Sequence, residues 1–360
     1  MEGLADKDIS PDLQQRILAA RGEKQNLNLC GSGSKSFYGR VATGESLPLS
    51  AHRGVVSYEP SELVLTVRAG TTLKEIDALL ASQQQMLPFE PPGFGDSATI
   101  GGTLACGFSG PRRPFSGAAR DFMLGCKVLT GKGEIVNFGG QVMKNVAGYD
   151  VSRLMVGAMG TLGVLLEVSL KVLPIPEDEM TLCMPLSETE AIDVMCARAA
   201  KPLPLSAACY DGESVCLRLS GSTLAVNDAR KKIAGDVLGS SGFWEQVREH
   251  SHYFFSDPRP LWRISVAPAT LPLPLRGQWF YDWGGGQRWL KTNDSAAIVR
   301  AAVESEGGHA TLFSGKQAYA DTEVEIFHPL PQHLLRLHQR LKATFDPDGI
   351  LNRGRMYSAF

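Results

Sequence analysis

The sequence predicts an α+β protein with two domains and a separate C-terminal segment. Strand-like and helix-like patterns alternate closely over the first 173 residues. Pro174 and Pro176 interrupt that alternation and mark a boundary. Helical periodicity returns at residues 331–344. We therefore expect a first domain at 1–173 with lobes at about 1–57 and 58–173, a second domain at 174–330, and a C-terminal helix and tail at 331–360.

The first domain is predicted to begin with a helix over Pro11–Ala20. Leu13, Ile17 and Leu18 share one face of it, and the pair Ser10-Pro11 is a helix-start signal. Strands are expected at Leu27–Cys30, Gly54–Tyr58 and Leu63–Ala69. Thr71 or Thr72 should then cap a helix that runs to about Ser82.

Residues 88–117 are predicted to be an ordered loop system. They are rich in Gly, Pro, Ser, Ala and Thr, yet Ile100, Leu104 and Phe108 recur at intervals that a flexible linker would lack. The later elements are, in order, a hairpin of Met123–Thr130 and Glu134–Phe138, a helix at Tyr149–Ala158, a buried strand at Leu162–Leu173, and a last helix that stops at the turn Asp346–Gly349.

Composition excludes several classes of partner and site. The 36 Lys and Arg nearly balance the 38 Asp and Glu, so neither nucleic acid nor an anionic membrane is expected as the main partner. Seven Cys without a C-x-x-C pair suggest neither a disulfide framework nor a zinc or iron–sulfur site, which favours a reducing cytoplasm. The N-terminus lacks the pattern of a secretory signal. The longest apolar stretch, Leu154–Val168, is shorter than the roughly 20 residues of a spanning helix.

Two glycine-rich segments are candidates for holding a dinucleotide. Backbone N–H groups reach a pyrophosphate only where side chains are small, which suits Gly31-Ser32-Gly33-Ser34-Lys35; an ordinary surface turn is the alternative. Residues 99–110 combine small residues with spaced apolar ones, which indicates close approach to a flat ligand or else a tightly packed bend. Neither G-x-G-x-x-G after the first strand nor a P-loop motif occurs, which argues against Rossmann dehydrogenases and P-loop NTPases.

Four segments together resemble a known family. They are CGSGSK (30–35), PPGFGDSATIGGTLACGFSGP (91–111), KNVAGYDVSRLMVGAMGTLGVLLEVSLKV (144–172) and FDPDGILNRGRM (345–356). In this order they resemble the FAD-linked oxidases of the vanillyl-alcohol-oxidase type, and within them the FAD-binding subunits of bacterial glycolate oxidases. The resemblance is dense over about the first 175 residues and the last 16 or so, and thin between them.

The resemblance implies a PCMH-type FAD-binding domain of two α/β lobes, a smaller α+β cap or substrate-type domain, and a C-terminal segment that returns to the flavin. It implies that the first loop binds pyrophosphate, that residues 99–110 run along pyrophosphate and flavin, and that residues 160–164 lie against the isoalloxazine or ribityl chain. The cofactor-binding residues so implied are Gly31, Ser32, Gly33, Ser34, Lys35, Thr99, Gly101, Gly102, Thr103, Cys106, Ser109, Gly110, Gly163, Val164, Asn352 and Arg355.

FAD is expected to bind non-covalently. Some relatives tether the flavin through a His in the first loop, and this chain has no His between residues 1 and 51. Cys30 and Cys106 remain alternatives for a covalent link, although each is typical of a small buried apolar residue.

No catalytic base, substrate-binding residue or metal site is assigned. His328, His333 and His338 lie five residues apart and cannot share one helix face, so a metal site formed from them is not expected. His250, His252 and His309 carry no assignment either. Arg259, Arg263 and Arg276 could bind a carboxylate through paired donors, and a structural salt bridge explains each equally well.

The function implied is that of the FAD-binding subunit of a glycolate oxidase or dehydrogenase complex. Such a complex oxidises glycolate, a 2-hydroxy acid, to glyoxylate and passes electrons through a larger FAD-containing subunit and an iron–sulfur subunit to the respiratory chain. The expected location is cytoplasmic, at the inner face of the membrane through the complex. Two alternatives stay open: a flavin-binding assembly subunit whose cofactor never turns over, and a self-sufficient FAD-dependent D-lactate-type dehydrogenase.

Overall fold

The computed structural model describes residues 6–140, 150–239, 242–315 and 324–360. The chain forms two compact units. The first comprises residues 1–109, 118–175 and 329–360, and the second comprises residues 110–117 and 176–328. Both units are discontinuous in sequence. None of the helices in the described ranges combines the length and the apolar character needed to cross a bilayer.

The strands of the described chain are β1 (Leu27–Cys30), β2 (Glu45–Pro48), β3 (Val55–Glu59), β4 (Val64–Arg68), β5 (Gln85–Met86), β6 (Met123–Leu129), β7 (Ile135–Gly139), β8 (Val164–Lys171), β9 (Leu173–Pro174), β10 (Asp178–Pro185), β11 (Leu205–Tyr210), β12 (Ser214–Gly221), β13 (Asp236–Val237), β14 (Leu261–Ser265), β15 (Gln278–Asp282), β16 (Gln287–Lys291) and β17 (His309–Ser314). The helices are α1 (Ser10–Glu23), α2 (Leu73–Ala81), α3 (Ile100–Cys106), α4 (Arg113–Ser116), α5 (Val151–Met155), α6 (Glu188–Ala199), α7 (Thr223–Lys232), α8 (Phe243–Glu249), α9 (Ala296–Glu304) and α10 (Gln332–Phe345). Short 3₁₀ turns lie at Pro60–Glu62, Ala119–Phe122, Tyr253–Ser256 and Trp283–Gly285.

The first unit is built around a five-stranded sheet in the order β3-β4-β8-β6-β7. Every residue of β4 is buried, because the strand lies inside the sheet and packs on both faces. Helix α2 covers part of that core. Its start is set by a capping box in which the Thr72 side chain accepts from the Glu75 amide and the Glu75 carboxylate accepts from the Thr72 amide.

A second, smaller core of the first unit joins its N-terminal and C-terminal segments. Strands β1 and β2 pair in parallel, and Leu13 and Ile17 of α1 pack with Leu27 of β1. Leu351 of the tail joins the same cluster and is fully buried. The Leu27 amide donates to the Ile350 carbonyl at 2.7 Å, and the Asn352 amide donates to the Leu27 carbonyl at 2.9 Å. The tail therefore behaves almost as a further strand beside β1.

The second unit contains an eight-stranded sheet in the order β13-β10-β12-β11-β15-β16-β14-β17. Residues 110–117, which include α4, belong to this unit: Phe115 packs into its core, and the Gly110 carbonyl accepts from the Trp283 indole at 3.0 Å. Nothing in the linear sequence pattern predicts that this short segment leaves the first unit, because its apolar content is low.

The cysteine pattern suggests no disulfide framework, and the structure contains one disulfide bond that this pattern does not reveal. Cys183 and Cys216 are bonded, with their Cα atoms 4.2 Å apart. They are direct partners in the antiparallel register of β10 and β12, which brings two residues 33 positions apart within bonding distance. The remaining cysteines are free thiols.

The predicted elements of the first unit are largely confirmed, and so is the α+β class. Most of them form within a few residues of their predicted bounds. These elements are the helices α1, α2 and α10, the strands β1, β3, β4 and β8, and the hairpin of β6 and β7. The helix-start signal Ser10-Pro11 lies in the first turn of α1, while Ile9 occupies the cap position and no side chain caps it. The ordered loop at 88–117 is partly helical, since it contains α3 and α4. Tyr149, the predicted start of a helix, and the motif residues 144–149 lie outside the described residues.

Candidate functional site

A deep cavity in the first unit gathers the segments that the sequence singled out. It encloses about 1060 Å³ of space free of protein atoms, including the part open to solvent. Its lining comes from the end of β1 and the loop after it, from α3, from the turn before β8 and from the C-terminal tail.

The loop that follows β1 presents backbone donors at the cavity. In the described chain the amide N–H groups of Gly31, Ser32 and Gly33 donate to no protein acceptor. The Ser34 amide reaches only the Ser32 hydroxyl, at 3.5 Å. All of these residues line the cavity. A row of unused amides next to a cavity is the usual cradle for an anionic oxygen group.

Lys35 places a positive charge beside these amides. The residue is only 6% exposed, and its Nζ donates to the Ser34 hydroxyl at 3.3 Å and to the Gly93 carbonyl at 3.1 Å. Its ammonium also lies 5.9 Å from the centre of the Phe94 ring. A lysine fixed at the edge of an amide cradle suits a phosphate group, because it adds a point charge to directional donors.

Two glycines in the first loop are required by the backbone. Gly33 has a φ of +83°, a backbone conformation that is unfavourable for any residue with a side chain. A Cβ at Gly31 would lie 2.4 Å from the Thr99 Oγ1. Gly31 therefore lets the first loop contact the start of α3, which joins the two glycine-rich segments into one wall.

Helix α3 contributes shape rather than unused donors. Thr99 caps it, and its first amides are all satisfied: Ile100 donates to the Thr71 carbonyl, Gly101 to the Ala69 carbonyl and Gly102 to the Thr99 hydroxyl. A Cβ at Gly101 would lie 2.8 Å from the Ala69 carbonyl oxygen. Gly101 thus lets α3 pack directly on the end of β4.

The cavity-lining face of α3 carries small side chains. Gly101, Gly102, Ala105 and Cys106 line the cavity at helical spacing. Ala105 lies in the predicted segment 99–110 but was not named individually, although its position one turn beyond Gly101 and Gly102 is a signal that could have found it. Burial raises the pKa of the half-buried Cys106 thiol to about 11, so the protonated thiol predominates at neutral pH.

The C-terminal tail closes one side of the cavity through Asn352. This residue is 4% exposed and has a φ of +43°. Its Oδ1 accepts from the Leu29 amide at 2.7 Å, and its Nδ2 donates to the Met159 carbonyl at 2.7 Å. One side chain therefore links the tail to β1 and to the turn before β8.

Arg355 also lines the cavity and is not the solvated surface charge that an arginine near a chain end usually is. Its Nη1 donates to the Arg40 carbonyl at 2.6 Å, and its own carbonyl accepts from the Arg40 amide at 2.9 Å. Burial lowers the pKa of its guanidinium from the ordinary value, and the group remains a cation at neutral pH.

The turn before β8 brings Gly160, Gly163 and Val164 to the cavity. Gly160 has a φ of +71°, and a Cβ there would lie 2.7 Å from the Asn352 Nδ2. A Cβ at Gly163 would lie 2.5 Å from the Val128 side chain. These glycines serve the close packing of the turn against the tail and against β6.

Most of the predicted cofactor-binding residues line the cavity, and three do not. Those that line it are Gly31, Ser32, Gly33, Ser34, Lys35, Thr99, Gly101, Gly102, Cys106, Gly163, Val164, Asn352 and Arg355. Thr103 is fully buried behind α3, and its hydroxyl donates to the Thr99 carbonyl. The Ser109 hydroxyl accepts from the Ala119 amide at 3.0 Å, and Gly110 belongs to the second unit.

Two lining residues, Ala105 and Gly160, lie in segments predicted to run along the cofactor but were not named individually. Lining residues outside the named set and these segments are Asn28, Leu29, Cys30, Ser36, Leu49, Ala69, Met155, Ala158, Met159 and Leu165. Cys30 had been considered only as an alternative covalent link. Most of the others are apolar residues from strands and turns, and their sequence signal is the same as that of ordinary core residues.

No His, Asp or Glu is found among the cavity-lining residues that the structure describes. The ionisable groups among these described residues are Lys35, Arg355 and the thiols of Cys30 and Cys106. Elsewhere in the described residues no group of three or more His, Cys, Asp or Glu could hold a metal ion. His328 lies before α10 rather than on it: its Nδ1 accepts from the Ala310 amide, and its Nε2 lies 3.1 Å from Glu304.

Comparison with known proteins decides the family. Residues 10–139 match the model of the FAD binding domain family. The glycolate oxidase subunit GlcE of Escherichia coli is 45% identical over 355 residues, which is 99% of this chain and 99% of that protein. The chain belongs to the GlcE family of glycolate oxidase subunits. This confirms the family resemblance read from the sequence motifs and FAD as the predicted cofactor, while non-covalent attachment stays a prediction.

More distant relatives match only part of this GlcE-family chain. The D-lactate dehydrogenase of Archaeoglobus fulgidus is 31% identical over 49% of this chain and 40% of its own length. The glycolate oxidase subunit GlcD of Bacillus subtilis is 32% identical over 43% of this chain and 32% of its own. A solved structure of alkyldihydroxyacetonephosphate synthase has a TM-score of 0.65 at 15% identity, covering 95% of this chain and 75% of that one, which shows a shared fold.

Proposed function

We propose that this chain is the FAD-binding subunit of a glycolate oxidase complex that oxidises glycolate to glyoxylate. The observation that carries the proposal is the row of unused amides at Gly31, Ser32 and Gly33, beside Lys35, in a cavity of a chain that aligns end to end with a glycolate oxidase subunit. An FAD pyrophosphate needs such donors, and the apolar remainder of the lining suits a flavin ring. When bound, FAD would supply the electron-accepting chemistry of the oxidation.

The binding of FAD in this proposal is non-covalent. The first loop offers no His, and the Cys106 thiol is held protonated by burial. Acid or heat denaturation should therefore release the yellow chromophore into the supernatant. Flavin that stays with the precipitated protein would contradict this part of the proposal.

The partners proposed are a larger FAD-containing subunit and an iron–sulfur subunit. The described residues hold no cluster of cysteines that could carry an iron–sulfur centre, so onward electron transfer to the respiratory chain would use another chain. Attachment of the complex to the inner face of the membrane would likewise come through those partners. Purification with whatever binds the chain, followed by mass measurement, tests this.

Turnover is tested on the complete complex. We expect its flavin absorbance to bleach under anaerobic glycolate, since hydride transfer would reduce the ring. A flavin of this subunit that remains oxidised while the partner flavin is reduced would reject electron transfer through this chain.

The cofactor site is tested on the isolated chain with Lys35→Ala and Gly31→Ala. Removing the Lys35 charge should weaken FAD binding roughly tenfold or more, because charge-assisted contacts are worth about 1.5–3 kcal/mol. A Cβ at Gly31 would displace Thr99 and open the wall between loop and helix.

Matched controls for these variants are Lys74→Ala and Gly22→Ala. Lys74 is largely exposed, and a Cβ at Gly22 meets nothing within 4 Å. If the control variants lowered the FAD affinity as much as Lys35→Ala and Gly31→Ala do, the flavin would have to bind elsewhere.

A second candidate function is a flavin-binding assembly subunit whose cofactor never turns over. The observation in its favour is that none of the described residues lining the cavity is a His, Asp or Glu, so the described part of the chain offers no evident base for substrate deprotonation there. A Gly31→Ala complex that assembles without this flavin and keeps full activity would select this candidate. A self-sufficient D-lactate dehydrogenase has less support, because that similarity covers only about half of the chain.

A further inference from the structure

The second unit carries a polar row on one face of its sheet. Strands β16, β14 and β17 are neighbours, and Arg263 of β14 is paired with Trp289 and Thr311 while Ser265 is paired with Gln287 and His309. The opposite face is apolar, since the alternate residues Trp262, Ile264, Ala310 and Leu312 form a buried core cluster. Arg263, Ser265, Gln287 and His309 therefore share the other face.

Arg263 is a half-buried cation that lacks an acidic partner within the described chain. Its Nε donates to the Gln287 Oε1 at 2.7 Å, and its guanidinium carbon lies 5.3 Å from the centre of the Trp283 ring. The two other arginines considered for carboxylate binding differ from it. Arg259 is paired with Asp257 at 2.6 Å, and Arg276 is exposed in a loop.

The contacts of Arg263 orient its guanidinium and leave most of its N–H donors available to a ligand. A guanidinium has five N–H donors, and the bond to Gln287 uses only the Nε–H donor. The indole face fixes its plane. Arg113 lies over the same Trp283 ring, with its guanidinium carbon 4.1 Å from the ring centre. Half-buried charges are ordinarily paired, so an oriented arginine with only neutral partners points to an anion supplied by a ligand.

His309 stands diagonally across the strand pair from Arg263, at a spacing that long side chains can bridge. His309 is exposed at the start of β17. Desolvation by the neighbouring residues is the main cause that lowers the pKa of His309, and the charges of Arg263 and His328 add to it. The imidazole is therefore neutral at neutral pH, and it can exchange a hydrogen bond with a hydroxyl group.

We propose that Arg263 and His309 form a binding site for a small 2-hydroxy carboxylate in the second unit, with the carboxylate on the Arg263 guanidinium and the hydroxyl on His309. Gln287 and Trp283 are positioning residues that hold the guanidinium in its plane. The identity of the ligand class rests on the proposed function, because glycolate is the smallest molecule that carries both groups.

The test uses the full chain and isothermal titration with glycolate in low-salt buffer, and the flavin content of each sample is measured from its absorbance. We expect Arg263→Gln to abolish measurable binding. Arg263→Lys should weaken it about tenfold or more, because a lysine lacks the paired fork. Arg276→Gln is the matched control and should bind as the unsubstituted chain does. His309→Gln should weaken glycolate more than it weakens acetate, which has no hydroxyl.

Glycolate binding that survives Arg263→Gln, or that falls equally in Arg276→Gln, would overturn the inference. So would an unsubstituted chain that holds FAD and does not bind glycolate, a result that leaves the proposed flavin function intact. Absence of flavin with Arg263-dependent glycolate binding would instead reject the flavin proposal alone. A melting curve for each variant identifies any that fails to fold. If Arg263→Gln fails to fold, the glycolate affinity of Arg263→Lys, which keeps the positive charge, provides the test instead.

Discussion

At the scale of single residues, Asn352 connects more of the cavity wall than any local pattern suggests. Its side-chain amide accepts from the partly buried Leu29 amide and donates to the buried Met159 carbonyl. We expect Asn352→Ala to lower the free energy of unfolding by about 2–4 kcal/mol, because each buried polar group left without a partner costs roughly 1–3 kcal/mol. Urea denaturation monitored by fluorescence measures the change.

Asn137→Ala is the control for this prediction, since Asn137 is exposed on β7. It should change stability by no more than about 0.5 kcal/mol. FAD affinity should also fall in Asn352→Ala, because the tail and the turn before β8 would separate. An Asn352→Ala chain as stable as Asn137→Ala would mean that the two hydrogen bonds contribute nothing.

The last turn of α10 holds the tail through a buried ion pair. Lys342 Nζ donates to the Asp346 carboxylate at 2.6 Å, to the Thr161 carbonyl at 2.8 Å and to the Leu351 carbonyl at 2.6 Å. Burial is the main cause that lowers the pKa of Lys342, and Asp346 opposes it. This one ammonium therefore ties α10, the turn before β8 and the segment before Asn352 together.

Replacing Lys342 alone should be more damaging than replacing both partners. Lys342→Met leaves Asp346 buried without its cation, at a cost of about 3–5 kcal/mol. Adding Asp346→Leu should recover part of that loss, since it removes the uncompensated charge. Thermal unfolding of the single and double variants measures this. A double variant no more stable than Lys342→Met would show that the Asp346 bonds to the Ile350 and Leu351 amides, rather than the ion pair, hold the turn.

Elements whose signals are local could be predicted from the sequence. The α2 start follows from Thr72 and Glu75, which need only each other, and β8 follows from a long apolar run. Helix α3 could not be predicted from the sequence, because Gly101, Gly102 and Gly107 suggest a loop. It forms because Thr99 caps it and because packing on Ala69 and β4 leaves room only for glycine.

The candidate site was predictable where function requires a backbone without side chains. Gly31 and Gly33 reveal themselves because their residue type is unusual at a strand end. Leu49, Ala69 and Met159 could not be found, since an apolar residue that faces a cofactor and one that faces a core have the same sequence signal. The Cys183–Cys216 bond was missed for a related reason: it depends on the register of two strands, which spacing does not reveal.

At the scale of the whole molecule, the flavin site is assembled from segments that are distant in sequence. Binding of the cofactor should therefore stabilise all of these segments together. We expect FAD to slow amide hydrogen exchange together in residues 28–36, 99–106, 158–165 and 351–355, which supply the cavity lining. FAD at 100 times its dissociation constant adds about 2.7 kcal/mol to the stability of the state that binds it. Strands β11 and β14 of the second unit serve as the internal control, because they contribute no residue to the cavity. If the tail at 351–355 exchanged at the same rate with and without FAD while the other three segments slowed, the tail would be a structural clasp of the first unit and Arg355 would not contact the cofactor.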